Sequence, residues 1–481
     1  MAILRIRIRI RRRIIYFILG LLLIIPTCVI SEAHATTEYI SLLAMCLLIL
    51  IVFAVLFTYD DGAVTPLTLF SLMYSGYAIG AIYYAQSDGY FGKFIEFSGL
   101  GRHVVEEYMI QSLFLAISCY FAFWLGYALN IKKDIYHLQP KSDEFIKFIS
   151  KNKNILIFPL VLFVFLYWVW VCFTISGGII NALIEFQLFP HLAKANNITI
   201  APYLIYYAAI NIWFICILCS PKKSISKSFV FWAFVGFVIS ISTARITISI
   251  SYILSLLVFA YLVKREYRNR LLVIGSTLLL SSFMIYVLRE FSNYYFLYGD
   301  ISKVDFNFLT GLIGGGNITD LQQLVIILST FSLNNSLLGS SYLDWINNFV
   351  GVYFGMEPNS LGLLIHEMYM PASSGAPTPG AVGELYANFN VLSPLVIFFI
   401  GCLMAVIRNF VLSKRNSLLA FCYSVFLVCF VFMYPKVDST MFVNFIWGVA
   451  PTLSIVFLFY LLYLFAVRVN CMNAIHLKQG V

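Results

Sequence analysis

Tyr39-Ile-Ser-Leu-Leu-Ala-Met-Cys-Leu-Leu-Ile-Leu-Ile-Val-Phe-Ala-Val-Leu-Phe-Thr58 runs for twenty residues without a charge. A helix rises about 1.5 Å per residue and a bilayer's hydrocarbon core is about 30 Å thick, so roughly 20 such residues cross it. A β-barrel strand would instead alternate apolar with polar over about ten residues. The stretch therefore reads as a transmembrane helix, and it is one of many. An apolar run from Ile14 to Ile30 precedes it, and others lie near 67–85, 108–129, 155–175, 203–219, 229–243, 245–263, 271–288, 391–408, 417–434 and 441–467. With 61% hydrophobic and 11% charged residues, the chain is not a soluble globule, which would carry roughly 25% charge. The expected fold class is an all-α polytopic membrane protein with about 12 transmembrane helices. Nine of them fall in 1–288 and three in 391–481, with a large wet loop over 289–390 between the two groups.

Charge placement sets the expected orientation. If the first helix runs outward from the cytoplasm, the clusters Arg5 to Arg13, Lys132 to Lys153, Lys222 to Lys227, Lys264 to Arg270 and Arg408 to Arg415 all lie inside, with Arg468 and Lys478. These hold 24 of the 31 lysines and arginines, so the net charge of +9 follows from the positive-inside rule and not from a nucleic-acid partner. Both termini are then cytoplasmic and the 289–390 loop is periplasmic. Ala33-His-Ala35 resembles a signal-peptidase site, but the preceding apolar run exceeds the usual ~7 to 15 residues, which favours a retained signal anchor. Of the ten cysteines, Cys216-Ile-Leu-Cys219 falls within a span and reads as packing.

The long loop is where chemistry is expected, because connections beyond about 12 to 15 residues are mostly functional. Within it, Leu321, Leu324, Val325, Leu328 and Phe331 recur at helical spacing, as do Leu343, Ile346, Val350 and Tyr353. Both segments are too short and too polar to span. They are expected to be short amphipathic helices lying along the membrane surface or covering a cavity. The loop carries Asp300, Asp305, Asp320, Asp344, Glu357, Glu367 and Glu384 among amides and aromatics, a surface suited to sugar hydroxyls.

Seven outer cations remain, of which Arg245, Arg289 and Lys436 stand out. Arg245 sits in the turn between two spans and Arg289 where the ninth span emerges. A guanidinium fork at a membrane boundary suits the diphosphate of a lipid-linked substrate, or else it is an interfacial anchor. Lys436, in Tyr434-Pro-Lys-Val-Asp-Ser-Thr, adds to that cluster or pairs with Asp438. For proton transfer the candidates are His366, Glu367 and Glu384. Glu384 follows the turn-rich Pro377-Thr-Pro-Gly and is expected at the lip of the bundle. No metal or nucleotide motif occurs: there is no His-x-x-x-His, and Gly314-Gly-Gly316 lacks the Lys-Ser/Thr of a phosphate loop.

Pro377-Thr-Pro-Gly-Ala-Val-Gly-Glu-Leu-Tyr-Ala-Asn-Phe-Asn resembles a pattern of the Wzy-type O-antigen polymerases, in which Pro, Gly-Glu and Tyr-x-Asn-Phe lead into a helix. Gly339-Ser-Ser-Tyr-Leu-Asp-Trp-Ile and the Ser-Thr-Ala-Arg245 turn also look like that family. Asn390, where the family often has Gly, and Glu357, where it often has a basic residue, depart from it. The resemblance implies a bacterial inner-membrane glycosyltransferase that moves a growing glycan from undecaprenyl diphosphate onto an incoming lipid-linked repeat unit, at the periplasmic face and without metal or cofactor. Its partners would be that lipid-linked oligosaccharide, the bilayer and a chain-length regulator protein. On this view Arg245, Arg289 and Lys436 hold the diphosphate, Glu384 or His366 accepts the proton, and Tyr386 and Asn388 position the acceptor. An O-antigen ligase and a lipid-linked oligosaccharide flippase are the alternatives.

Overall fold

The computed structural model describes residues 37–58, 64–86, 98–132, 144–182, 201–219, 227–242, 246–264, 267–277, 321–350, 354, 360–369, 378–414 and 416–479. It is 90% helical, with no strand among the described residues. The helices are α1 (Thr37–Thr58), α2 (Pro66–Tyr74), α3 (Gly76–Gln86), α4 (Arg102–Asn130), α5 (Glu144–Lys151), α6 (Lys153–Leu156), α7 (Phe158–Ser176), α8 (Ala201–Cys219), α9 (Lys227–Ser242) and α10 (Ile246–Val263). After them come α11 (Leu321–Thr330), α12 (Asp344–Val350), α13 (Leu361–Tyr369), α14 (Gly380–Phe389), α15 (Ser393–Ser413), α16 (Ser417–Phe426) and α17 (Phe442–Gln479).

Five stretches among the described residues are long and apolar enough to cross a membrane: Thr37–Thr58, Arg102–Asn130, Lys153–Ser176, Gly380–Ser413 and Ser439–Val469. Leu321–Thr330 and Leu333–Asn347 form a bent pair at 90°, which would make a sixth. Shorter apolar helices occupy several other expected spans, Tyr203–Cys219 and Ser251–Val263 among them. The apolar run from Ile14 to Ile30 lies outside the described residues, as does the end of the 271–288 run.

The chain folds into two compact units that interleave in sequence, so the packing runs across the linear division at 288 and 390. One comprises 1–136, 305–413 and 429–443; the other comprises 137–304, 414–428 and 444–481. In the first unit α4 is the axis, flanked by α1, α3, α11 and α15. α2 and α3, joined through Ser75, run on together antiparallel to α4. Phe70 stacks on Phe123 at 4.0 Å, the Tyr74 hydroxyl donates to the Ala116 carbonyl at 2.7 Å, and Tyr84 donates to Glu106 at 3.4 Å. Thr65 and Thr68 form a capping box at the start of α2, satisfying two backbone donors that a helix N-terminus leaves open.

α4 and α15 pack in parallel through glycine. A Cβ on Gly401 would stand 2.3 Å from the Phe123 carbonyl oxygen, and one on Gly126 would stand 2.1 Å from that of Phe398. Small residues at a helix crossing let two backbones approach closely, the usual device where lipid supplies no hydrophobic drive to associate. At the cationic end of this pair, Asn409 donates to the Asn130 carbonyl and accepts from the Lys132 N–H, while Arg408 reaches the Lys132 carbonyl.

α11 corrects one expectation. Its residues Leu321 to Leu328 are all buried, Gln322 and Gln323 included, so it is an interior helix and does not lie along a surface. The second segment differs: Leu343, Ile346 and Val350 are exposed.

In the second unit α8 packs against α5, α7, α9, α10 and α16. Aromatic pairs line the contacts, with Phe214 stacked on Phe229 at 5.3 Å and Tyr207 tilted against Tyr252 at 4.7 Å. Asn211 donates to Thr452 at 3.3 Å inside the same unit. Cys216 and Cys219 are buried and unbonded to one another, in keeping with a packing role.

Candidate functional site

The polar residues of α14 converge inside the first unit. Gly380 opens the helix with φ of +69°, and a Cβ there would come within 2.6 Å of both the Tyr77 hydroxyl and the Pro435 carbonyl, so only glycine fits. Asn390 closes it with φ of +49°, a region Asn visits more readily than most residues, and turns the chain into α15. Between these two breaks Glu384 and Asn388, one helical turn apart, face the same way.

Glu384 is 1% exposed. Its carboxylate accepts three hydrogen bonds: from the Ser439 N–H at 2.9 Å, the Ser439 hydroxyl at 2.6 Å and the Ser341 hydroxyl at 3.2 Å. Asn388, also buried, donates to the Ser341 oxygen and to the Glu384 carbonyl, each at 2.7 Å, and accepts from the Gly339 N–H at 2.9 Å. Leu337 N–H adds a bond to the Ala387 carbonyl at 2.9 Å. Three segments distant in sequence are thus tied into one hub. A buried carboxylate is costly unless its lone pairs are satisfied, and this one is satisfied by neutral donors, with no ion pair among the described residues.

The third wall is the turn from Tyr434 to Met441. It follows a π-helical stretch, Leu427–Phe432, that continues from α16. Asp438 caps the next short turn by accepting from the Thr440 N–H at 3.0 Å and from its hydroxyl. Burial pushes the Asp438 carboxyl above its usual range, and the hydrogen bonds from Thr440 oppose that shift. The Tyr434 and Tyr342 hydroxyls are hydrogen-bonded at 3.1 Å.

The structure relocates several expected site residues. Glu384, expected at the lip of the bundle, is enclosed, because Ser341 and Ser439 cover it. Asn388 is closed in the same way, its amide fully engaged with the protein. Tyr386 is half-buried against an apolar cluster of Ile326, Ile327, Phe331, Leu361, Ile365 and Ala387. His366, on α13 beside that cluster, is half-buried and makes none of the hub's hydrogen bonds. Lys436 lies in the third wall, where its N–H donates to the Met433 carbonyl; Asp438 takes its hydrogen bonds from Thr440. Glu367 is exposed. Arg245, Arg289 and Glu357 lie outside the described residues. Ser341 and Ser439 escaped sequence reasoning. Ser341 lies within the quoted Gly339–Ile346 stretch, but a lone serine carries no signal of its partner. Among the described residues no group of His, Cys, Asp and Glu is disposed to hold a metal ion.

Among the described residues these features define an all-helical fold with five stretches fit to cross a membrane, or six with the bent pair, and a buried carboxylate hub in one of its two units. Compared with protein-family models, with curated proteins and with solved structures, the chain matches none.

Proposed function

We propose that this protein is a polyprenyl-diphosphate-dependent glycosyltransferase of the bacterial inner membrane that polymerises lipid-linked oligosaccharide repeat units at the periplasmic face. One observation carries the reading. Gly339–Ile346 and Pro377–Asn390, the stretches that resemble the polymerases, lie about forty residues apart, yet three side-chain hydrogen bonds join them at Ser341, Glu384 and Asn388.

The chemistry asks little beyond placement. The acceptor sugar hydroxyl attacks the anomeric carbon, the bond to the diphosphate oxygen breaks, and the hydroxyl proton leaves to a base. Diphosphate is a good leaving group, so stabilising its charge and holding the acceptor supply most of the catalysis. Arg245, Arg289 and Lys436 are assigned to the diphosphate. A carboxylate already closed by three protein donors cannot also reach a sugar hydroxyl. Glu384 is therefore a positioning residue, and proton acceptance passes to His366, a role worth roughly 10² to 10⁴-fold in rate.

The test is a gel of surface lipopolysaccharide from a strain lacking the protein, complemented with wild type, Arg245→Ala, Arg289→Ala, His366→Ala or Glu384→Gln at matched expression. The reading expects the deletion to lose the ladder while keeping a single-repeat band. A deletion in which no repeat reaches the lipid core refutes it and points to flipping or ligation.

A further inference from the structure

Leucines beside the hub stand exposed, which water alone does not favour. Leu333, Leu338 and Leu343 are 68%, 83% and 62% exposed, and Ile346 and Val350 follow on α12. Between them Asn334, Asn335 and Ser340 are exposed too, so the segment is amphipathic and not uniformly apolar.

Its depth follows from α15. That helix presents Leu395, Phe399, Leu403, Val406 and Phe410 outward, a strip at helical spacing along a stretch fit to cross a membrane. From Asn409, tied to Asn130 and Lys132 at the cationic end, back to Val391 is eighteen residues. At about 1.5 Å each this is roughly 27 Å, close to the ~30 Å hydrocarbon core. Val391 and Leu392, both exposed, therefore sit at the opposite boundary of the bilayer.

The leucine-bearing segment is fastened at that level. Leu337 bonds to Ala387, Gly339 bonds to Asn388, and a Cβ on Gly339 would rest 3.7 Å from Phe389. The apolar strip of α15 thus continues through Val391 and Leu392 to Leu338. The segment also leaves α11 at 90°, so it turns off the direction of that buried helix.

We infer that residues 333–350 form an interfacial foot whose leucines and isoleucine enter the acyl chains of the leaflet opposite the Lys132–Arg408 end, while Asn334, Asn335 and Ser340 meet headgroups and water. The occupant is bulk lipid hydrocarbon. Each apolar side chain buried this way contributes favourably in proportion to its area, and the polar edge holds the segment at the boundary. Where the proposed function also holds, a lipid-linked substrate reaches the hub sideways from the bilayer, a consequence that rests on that reading; the foot itself does not.

The test places p-acetylphenylalanine singly at Leu338, Leu343, Phe399 and Lys147, which leaves the ten cysteines untouched. Each is coupled to a nitroxide in the full chain in phosphatidylglycerol–phosphatidylethanolamine proteoliposomes. Collision with oxygen is then compared with collision with a water-soluble nickel chelate. Phe399 gives the lipid reference, and Lys147, an exposed lysine, the aqueous one. The inference expects Leu338 and Leu343 to favour oxygen as Phe399 does. A chelate-dominated signal like that of Lys147 at either site overturns it. No glycosyl transfer is measured, so this outcome and the fate of the polymerase reading remain separable.

Discussion

Removing the Ser439 hydroxyl tests how the hub holds together. In the wild type that hydroxyl donates to the Glu384 carboxylate at 2.6 Å, the shortest of the three bonds there, and both residues are buried. An intramolecular hydrogen bond contributes about 0.5–1.5 kcal/mol net, and about 1.5–3 where one partner is charged. Ser439→Ala should therefore cost about that much, its N–H remaining free to donate to the other carboxylate oxygen at 2.9 Å. Glu384→Gln replaces one oxygen by an amide nitrogen that must face a donor. It should cost about 1–3 kcal/mol through one buried group left unpaired. The two changes act on one bond, so the double variant should fall short of their sum by about 1–2 kcal/mol. Reversible unfolding in mixed micelles titrated with dodecyl sulfate, followed by circular dichroism, supplies the four free energies. Additivity within about 0.5 kcal/mol would refute the claim that Glu384 and Ser439 are directly coupled.

Other expectations follow from the same geometry. Gly380→Ala, at positive φ and 2.6 Å from two oxygens, should destabilise by at least ~1–2 kcal/mol, whereas Gly101→Ala, with open space around it, should change thermal stability little. Gly401→Ala drives a methyl against a backbone carbonyl at 2.3 Å and should lower the yield of folded protein in detergent gel filtration, since the facing helix must move. Asp438→Asn should be at least as stable as wild type at neutral pH, because Asn can still cap Thr440 and burial penalises only the ionised acid. The sign follows from the raised folded-state value: wild type gains stability as pH falls through it, so the gap should narrow on acidification. A gap that widens on acidification excludes this account.

Much of the architecture was legible because membrane helices announce themselves by length and apolarity. The runs near 39–58, 108–129 and 391–408 correspond to α1, α4 and α15. Hydropathy failed where depth depends on partners. α11 reads as a surface helix because Gln322 and Gln323 interrupt it, yet it is buried on all sides, between α3, α4 and α14. Glu384 is legible from the turn-rich Pro377-Thr-Pro-Gly that precedes it. Its burial was not legible, because the two serines that satisfy it stand 43 and 55 residues away. The third wall of the hub thus comes from a turn in which the sequence points only to Lys436 and Asp438.

The central claim is that this chain joins lipid-linked repeat units. Its most direct test is purified protein in proteoliposomes supplied with a synthetic polyprenyl-diphosphate repeat unit and no nucleotide sugar, with products separated by mass. The account predicts lipid-linked dimers and longer oligomers with release of polyprenyl diphosphate, lost in Arg245→Ala and Arg289→Ala. Repeat units that remain single while wild-type protein is folded and correctly inserted would contradict it.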